Sequence, residues 1–127
     1  MNKQQRINTA MRLLSVSYRP MKNAIRISKA NTLQHELAKF FKCWELLQDG
    51  KEFYTEAVFG NGGRADIFVP VDYSVFEILH SETEKEALSK IKKYPPQLDI
   101  YLRKSFEVIK EHLQQLKNLE ESEEEEQ

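Results

Sequence analysis

The sequence predicts an α/β fold: a helix, a three-strand antiparallel meander, a second helix, a fourth strand and a C-terminal helix. Three observations support this fold class. One segment repeats apolar residues at helical spacing, three short β-rich segments are separated by turn signals, and a helix–strand–helix pattern follows them. Such alternation packs helices against a sheet. A chain of 127 residues has room for one domain with one modest core.

The first helix is predicted over residues 32–48. Asn31 or Thr32 can cap its start, and Asp49-Gly50 ends it. Its apolar residues form one broad stripe, which we expect to face the core. The stripe consists of Leu33, Leu37, Phe40, Phe41, Trp44 and Leu47.

The meander strands are predicted over residues 52–59, 64–71 and 74–80, which are rich in aromatic and β-branched side chains. The first connection, at residues 60–63, contains three glycines that can adopt positive φ. Pro70 indicates a strand end or an edge, because proline cannot donate to a β-ladder.

A capping box at residues 81–84 begins the second helix, which is predicted to run to about Tyr94 with Ala87, Leu88 and Ile91 facing inward. Pro95-Pro96 stops it. Residues 98–103 are predicted to be a fourth strand, parallel to a meander strand because it follows a crossover helix. Residues 104–119 show the three-and-four spacing of a final amphipathic helix.

The two ends of the chain carry opposite charge, although the net charge is only −1. Residues 1–34 contain seven Lys or Arg and no acid, whereas residues 120–126 contain six glutamates. This asymmetry indicates a basic N-terminal arm over residues 1–30, a domain over 31–119 and an acidic, disordered tail over 120–127. The arm is expected to include a short amphipathic helix and to pack loosely.

The composition excludes several classes of protein. Cys43 is the single cysteine, so the chain forms no internal disulfide, and with three scattered histidines it shows no zinc-ligand spacing. We find no apolar run long enough for a membrane span and no apolar region of signal-peptide length. These features predict a cytoplasmic protein, or one in the host cytoplasm if the source is a virus.

Three carboxylates fall where carboxylates are costly. Glu36 lies at the margin of the apolar stripe of the first helix, about 60° from Leu33 at 100° per residue. It therefore needs a base, a backbone donor or a metal ion, unless it bends out to water as a rim residue. Asp66 interrupts the second strand, where pairing with Arg64 is the ordinary alternative.

Glu77 is embedded among apolar neighbours in the third strand. Asp66 and Glu77 are expected to face each other across the hairpin, and two such carboxylates repel unless a proton or cation lies between them. A hard divalent ion suits this arrangement, because Mg²⁺ takes one or two carboxylates together with water and phosphate oxygens.

Residues 35–95 resemble the core of the PD-(D/E)XK (restriction-endonuclease-like) nuclease superfamily, nearest to small archaeal Holliday-junction-resolvase-like or RecB-like nucleases. The glycine-rich turn before Arg64-Ala65-Asp66 is similar to the entry to that family's aspartate. The resemblance implies that Glu36, Asp66 and Glu77 ligate Mg²⁺ or Mn²⁺, with Glu56 as a weaker candidate. It also implies a metal-dependent endonuclease acting on DNA, in branched or single-stranded form.

One position departs from the family pattern, because Leu79 stands where the third strand has a catalytic lysine. Two replacements for this lysine are open. Either the second helix supplies it, where Lys85, our candidate catalytic residue, and Lys90 are available, or His80 or a second metal ion takes its part. The remaining alternative is a degenerate nuclease fold that binds nucleic acid without cleaving it.

The partners implied are DNA, no membrane and a homodimer, since junction-cleaving members of the family are dimers. Phosphate contacts are expected from the basic residues Arg6, Arg12, Arg19, Lys22, Arg26 and Arg64. Tyr18, Tyr54 and Tyr94 can stack on bases, although packing is their commoner role. A further reading is a small adaptor that binds protein through its last helix.

Overall fold

The computed structural model describes residues 1–126 and has an α/β architecture, a four-stranded mixed sheet flanked by helices. Each predicted helix and strand is present. In chain order the elements are α1 (Lys3–Met11), α2 (Leu33–Gln48), β1 (Tyr54–Val58), β2 (Arg64–Val69), a 3₁₀ turn (Pro70–Asp72), β3 (Ser74–Leu79), α3 (Glu84–Ile91), β4 (Asp99–Lys104) and α4 (Ser105–Glu126).

The strands lie in the order β1-β2-β3-β4. The first three are antiparallel, as the meander predicts, and β4 pairs with β3 in parallel. The parallel pairing confirms the expected crossover through α3. The chain therefore places β2 and β3 at the centre of the sheet.

The pairing of β2 with β3 ends early. Its register runs from Val69↔Ser74 to Ile67↔Phe76, whereas β3 continues to pair with β4 as far as Leu79. Beyond Ile67, hydrogen bonds from backbone N–H groups to side-chain carboxylates replace the backbone ladder between β2 and β3. A cleft opens at this end of the sheet.

The first thirty residues pack closely on the domain, unlike the loose arm expected from the sequence. Ile7 of α1 is buried, Leu14 forms a β-bridge with Phe59, and the Tyr18 hydroxyl donates to the carbonyl of Thr55 at 2.8 Å. The reason is that β1 is an edge strand, whose unpaired groups need partners. This segment supplies them.

The predicted orientation of α2 is wrong. The residues of its apolar stripe are largely exposed: Leu33 77%, Leu37 37%, Phe40 45%, Trp44 51% and Leu47 46%. The buried face instead carries His35, Ala38, Lys39, Cys43 and Leu46. Small and hydrogen-bonded polar residues allow the helix to approach the sheet and α4, and their contacts outweigh the larger apolar stripe.

The second half also differs in detail. Leu88 of α3 is 55% exposed, contrary to the inward orientation expected, and Thr83 rather than Ser81 caps the helix. Val108 is buried on the inner side of α4, and the helix continues through Glu126, where a disordered tail was expected. Gln127 lies outside the described residues.

No helix within residues 1–126 has both the length and the apolar character needed to cross a membrane.

Candidate functional site

The cleft between β2 and β3 holds a polar cavity of about 350 Å³. Its walls come from the loop before α2, from α2 itself, from the turn before β2, and from β1, β2, β3 and α3. The lining residues are Ser28, Ala30, Asn31, His35, Glu56, Gly62, Gly63, Arg64, Asp66, Glu77, Glu82, Lys90, Lys93 and Tyr94.

Asp66 and Glu77 are joined by reciprocal hydrogen bonds in place of the β-ladder. The backbone N–H of Asp66 donates to Glu77 Oε1 at 3.0 Å, and the N–H of Ile78 donates to Asp66 Oδ2 at 2.7 Å. Each carboxylate thus holds the other strand. The two acids that the sequence predicts to meet across the hairpin do lie together, facing the same cavity.

Glu77 has a raised pKa, whereas that of Glu36 is lowered. Burial and the neighbouring charge of Asp66 raise the pKa of Glu77 to about 7, against the lowering effect of a hydrogen bond from Tyr94. The Tyr94 hydroxyl donates to Glu77 Oε1, and burial and the charge of Glu77 raise the pKa of Tyr94. Tyr94 approaches because Gly63 has no side chain: a Cβ there would lie 2.6 Å from the tyrosine ring.

His35 connects Asp66 to Glu36. Its Nε2 lies 3.2 Å from Asp66 Oδ2 and its Nδ1 lies 2.8 Å from Glu36 Oε1. Burial lowers the pKa of His35, but the hydrogen bonds and charges of the two acids outweigh it and raise the pKa to about 9. At neutral pH an imidazolium therefore stands between the two carboxylates.

Hydrogen bonds and ion pairs within the protein use both carboxylate oxygens of Glu36. Its oxygens accept hydrogen bonds from Asn31 Nδ2 at 2.9 Å and from the N–H of Ser28 at 3.0 Å, and they pair with His35 and Lys39. Burial raises its pKa, but Lys39 and these donors lower it to about 2. Of the partners expected from the sequence, Glu36 has a base and a backbone donor.

Lys39 is fully buried beneath the site, with three acceptors for its three N–H groups. Its Nζ lies 2.7 Å from the carbonyl of Arg26, 3.0 Å from Glu56 Oε1 and 2.7 Å from Glu36 Oε2. Glu56 also accepts from Arg64 at 2.8 Å, so Arg64 pairs with Glu56 and not with Asp66. Glu56 has φ of 50°, a strained conformation for a residue within a strand.

Whether a metal ion fits the site depends on which carboxylate oxygens accept no hydrogen bond from the protein. Asp66 Oδ1 and Glu77 Oε2 take part in none of the hydrogen bonds within the described residues, whereas both oxygens of Glu36 are occupied. Residues 1–126 hold no group of three or more His, Cys, Asp or Glu side chains that could bind a metal. The two unused carboxylate oxygens fit an ion such as Mg²⁺, which takes two carboxylates and completes its coordination shell with water or phosphate oxygens. They are too few for a site in which the protein supplies every ligand.

A basic groove of about 700 Å³ adjoins the cavity and shares Ser28, Glu56 and Arg64 with it. Arg26 stacks over the ring of Tyr18 in this groove at 4.8 Å. Three of the six residues predicted to contact phosphate line the basic groove: Arg19, Arg26 and Arg64.

The other three lie apart from the basic groove. Arg6 donates to the carbonyl of Val71 at 3.3 Å and covers Tyr73, Lys22 pairs with Glu52 at 3.3 Å, and Arg12 is exposed after α1. Tyr54 packs in the core.

The lysines of α3 are not equivalent. Lys90 lines the cavity together with Lys93, whereas Lys85 does not. Lys90 donates to Glu82 at 2.8 Å, and that bond, with the charges of Glu82, Glu77 and Asp66, raises its pKa. His80 lies elsewhere, 3.1 Å from Ser105 at the start of α4.

Three residues of the site were missed by sequence reasoning: His35, Lys39 and Tyr94. His35 and Lys39 are four residues apart and so share one helix face. A polar pair at this spacing, next to Glu36, was the available signal, but the larger apolar stripe outweighed it. Tyr94 was assigned to packing or stacking, since nothing local indicates its contact with Glu77.

Replacing Glu77 with glutamine should stabilise the metal-free protein above neutral pH. The raised pKa means that the folded state binds this proton more tightly than the unfolded state, whose pKa is near 4.5. The stability from that proton is fully present below pH 4.5 and is lost as the pH rises through 7.

We expect the free energy of unfolding of Glu77→Gln to exceed that of wild type by about 2 kcal/mol at pH 8, with the difference shrinking towards pH 5. Urea unfolding at several pH values measures it. The titration of His35 is common to both proteins and cancels. A difference that does not change with pH would contradict the assignment.

The chain matches no protein-family model, no curated protein and no solved structure.

Proposed function

We propose that this chain is a Mg²⁺- or Mn²⁺-dependent nuclease that hydrolyses phosphodiester bonds in DNA, built on a restriction-endonuclease-like core. The observation that carries the proposal is the Asp66–Glu77 pair, which lies in a polar cavity with one oxygen of each carboxylate unused. The order of the elements and the position of both acids on adjacent central strands support it.

The pair is costly without a cation. Burial and the charge of Asp66 already raise the pKa of Glu77 to about 7, so the two acids resist being charged together. A divalent ion removes that repulsion. The chemistry that it supplies when bound is polarisation of a phosphoryl oxygen and a bound water of lowered pKa.

The surrounding residues position this pair. His35 and the N–H of Ile78 fix one oxygen of Asp66, and Tyr94 and the N–H of Asp66 fix one oxygen of Glu77. The unused oxygens belong to two residues that line the cavity. Glu36 acts through His35 in this scheme, as a positioning residue.

Lys90 is the better candidate for the displaced catalytic lysine. It lines the cavity and its charge acts on both acids, while Lys85 is outside the lining. In this scheme the Lys90 ammonium contacts the scissile phosphate. We expect Lys90→Met to lower the rate of cleavage substantially more than Lys85→Met, which serves as its matched control on the same helix.

In this scheme the DNA backbone lies along the basic groove and reaches the adjoining cavity. The arginines of the groove contact phosphates without reading sequence, and Tyr18 adds a stacking surface.

Replacing Arg26 with glutamine should weaken DNA binding about 3- to 10-fold at moderate salt and reduce the salt dependence by about one phosphate contact. The reason is the loss of one charge from the basic groove. Fluorescence anisotropy against a salt series measures both quantities. Arg6→Gln is the control, because Arg6 packs on Val71 and Tyr73, away from the basic groove. Equal losses from both changes would mean that the groove has no special role.

The central experiment is cleavage of labelled single-stranded, duplex and branched DNA by the full chain. We expect cleavage with Mg²⁺ or Mn²⁺, none with EDTA, and recovery when the metal is restored. Cleavage that is equal in wild type and in Glu77→Ala would show contamination and contradict the proposal.

One observation favours a second candidate, a nucleic-acid-binding protein without catalysis. Leu79 occupies the position of the family's lysine and is 4% exposed, so this position supplies no charge to the cavity. Such a protein would bind DNA in a salt-sensitive way and leave every substrate intact with either metal.

A further inference from the structure

A groove along the C-terminal helix α4 is separate from the proposed nuclease site. It has a volume of about 580 Å³, and among the described residues it shares none with the cavity or the basic groove. Gln34 of α2 and His80 after β3 contribute to its lining, but most of the lining belongs to α4. The residues of α4 that shape it are Phe106, Ile109, Lys110, Leu113 and Lys117. We call this feature the α4 groove.

Phe106, Ile109 and Leu113 form the apolar part of the α4 groove. Ile109 packs against the apolar cluster of Ala38 and Val108, whereas Phe106 is 63% and Leu113 is 54% exposed. The three positions follow one another at spacings of three and four, so they lie along one side of the helix. This is the spacing at which one helix packs against another.

Lys110 and Lys117 flank the apolar row. At 100° per residue they lie about 40° and 20° from Phe106, on the side away from Ile109. Among residues 1–124, whose side chains the structure describes, neither lysine forms an ion pair with an acid. The α4 groove therefore combines an apolar row with two exposed cations that have no internal partner.

The C-terminal half of α4 packs on nothing in the chain that the structure describes. His112 is buried, but residues 113–124 are all exposed. Most of the stability of a helix in a protein comes from tertiary packing of its amphipathic face. A partner seated in the α4 groove would supply that packing.

We propose that the α4 groove binds an acidic amphipathic helix of another protein. Apolar side chains of that helix contact Phe106, Ile109 and Leu113, and its carboxylates pair with Lys110 and Lys117. The two lysines are seven residues apart, so the carboxylates that meet them are also spaced by about two helical turns. From Phe106 to Lys117 the α4 groove runs for about 16 Å, which fits about three turns of the partner. This inference goes beyond the proposed nuclease activity and does not depend on it.

Charge complementarity favours this occupant over a second copy of the chain. Two copies seated groove to groove would bring Lys110 and Lys117 of one copy beside the same lysines of the other, and like charges at an interface are unfavourable. A carboxylate-bearing helix meets them with the opposite charge. Glu120, Glu121 and Glu124 follow Lys117 and repel an acidic partner, so the contact ends at that turn.

The test measures the binding of two labelled peptides to the full chain by fluorescence anisotropy. Both peptides are helical, about five turns long, with leucine at positions a and d of each heptad. One carries glutamate at the flanking e and g positions and the other carries lysine, and the like charges of each disfavour pairing with itself. We expect micromolar affinity for the glutamate peptide and at least about 10-fold weaker binding of the lysine peptide, a preference that falls as salt is added.

A charge-swap variant tests the role of the two lysines. We expect the double variant Lys110→Glu, Lys117→Glu to reverse the preference, binding the lysine peptide at least about 10-fold more tightly than the glutamate peptide. The matched control is Lys3→Glu, Lys92→Glu, which changes the net charge equally at exposed positions outside the α4 groove. The control should bind both peptides as wild type does. All four lysines are exposed, so circular dichroism should show that both variants fold.

A second variant tests the apolar row. We expect Leu113→Gln to weaken binding of the glutamate peptide at least about 10-fold and to leave the salt dependence unchanged, because it removes apolar contact and no charge. Amide hydrogen exchange of residues 113–124 should slow when wild type binds the glutamate peptide, since the peptide packs against this part of α4.

Three results would overturn the proposal. The first is a wild-type chain that binds both peptides equally or binds neither. The second is a preference for the glutamate peptide that the charge-swap variant retains. The third is a chain that binds phosphatidylglycerol vesicles through Lys110 and Lys117 but not the glutamate peptide, which would assign the α4 groove to a lipid surface.

Discussion

Replacing Asp66 with asparagine should lower the rate of metal-dependent DNA cleavage by about 1000-fold. The substitution removes one of the two charges that would hold the divalent ion. It leaves an amide oxygen that can still accept from the N–H of Ile78, so the junction between β2 and β3 persists. Single-turnover cleavage at saturating metal measures the rate, and titration calorimetry with Mg²⁺ alone should show weakened metal binding.

The control for Asp66→Asn is Asp72→Asn. Asp72 lies in the 3₁₀ turn, half-exposed and paired with Lys51 at 2.8 Å, outside the cavity. We expect wild-type cleavage from this variant. If the Asp66→Asn protein folds and cleaves at the wild-type rate, the Asp66–Glu77 pair has no role in cleavage.

Replacing Lys39 with methionine should reduce the free energy of unfolding by about 3 kcal/mol, or on the order of 10 °C in the unfolding temperature. Methionine fills a similar volume, but Glu36 and Glu56 lose a shared buried cation and the carbonyl of Arg26 loses its donor. Breaking a buried pair in this way leaves uncompensated charge. Thermal and urea unfolding at neutral pH measure the effect.

Lys51→Met is the control. Lys51 follows α2, is partly exposed, and pairs with the half-exposed Asp72 at 2.8 Å. We expect it to cost less than about 1 kcal/mol, the usual value of an exposed pair. If both methionine variants were equally stable, the buried network of Lys39 would not hold the site together.

The succession of helices and strands could be predicted because its signals are local. Thr32 caps α2, and the glycine-rich turn before β2 and Pro95-Pro96 after α3 separate the segments, so their order follows from short-range chemistry. The meeting of Asp66 and Glu77 was also predictable. Their strands are joined by a short turn, and a hairpin brings nearby residues of adjacent strands together.

The environment of those acids was decided by tertiary structure. Which face of α2 approaches the sheet depends on long-range partners: Lys39 on α2 needs Glu56 on β1, and His35 needs Asp66 on β2. Hydrophobic periodicity shows that a helix is amphipathic, but it does not identify the groups against which the helix packs. The apolar stripe therefore indicated a helix correctly and its buried side wrongly.

The sequence by itself determined the fold class, the order of the strands along the chain and the two facing acids, because these depend on spacing and turns within short segments. Only the tertiary structure brought His35 and Tyr94 to those acids, buried Lys39 between Glu36 and Glu56, and left the apolar stripe of α2 exposed. The physical reason is that a buried charge takes its pKa and its partners from groups distant in the chain, which assemble only when the sheet and helices pack.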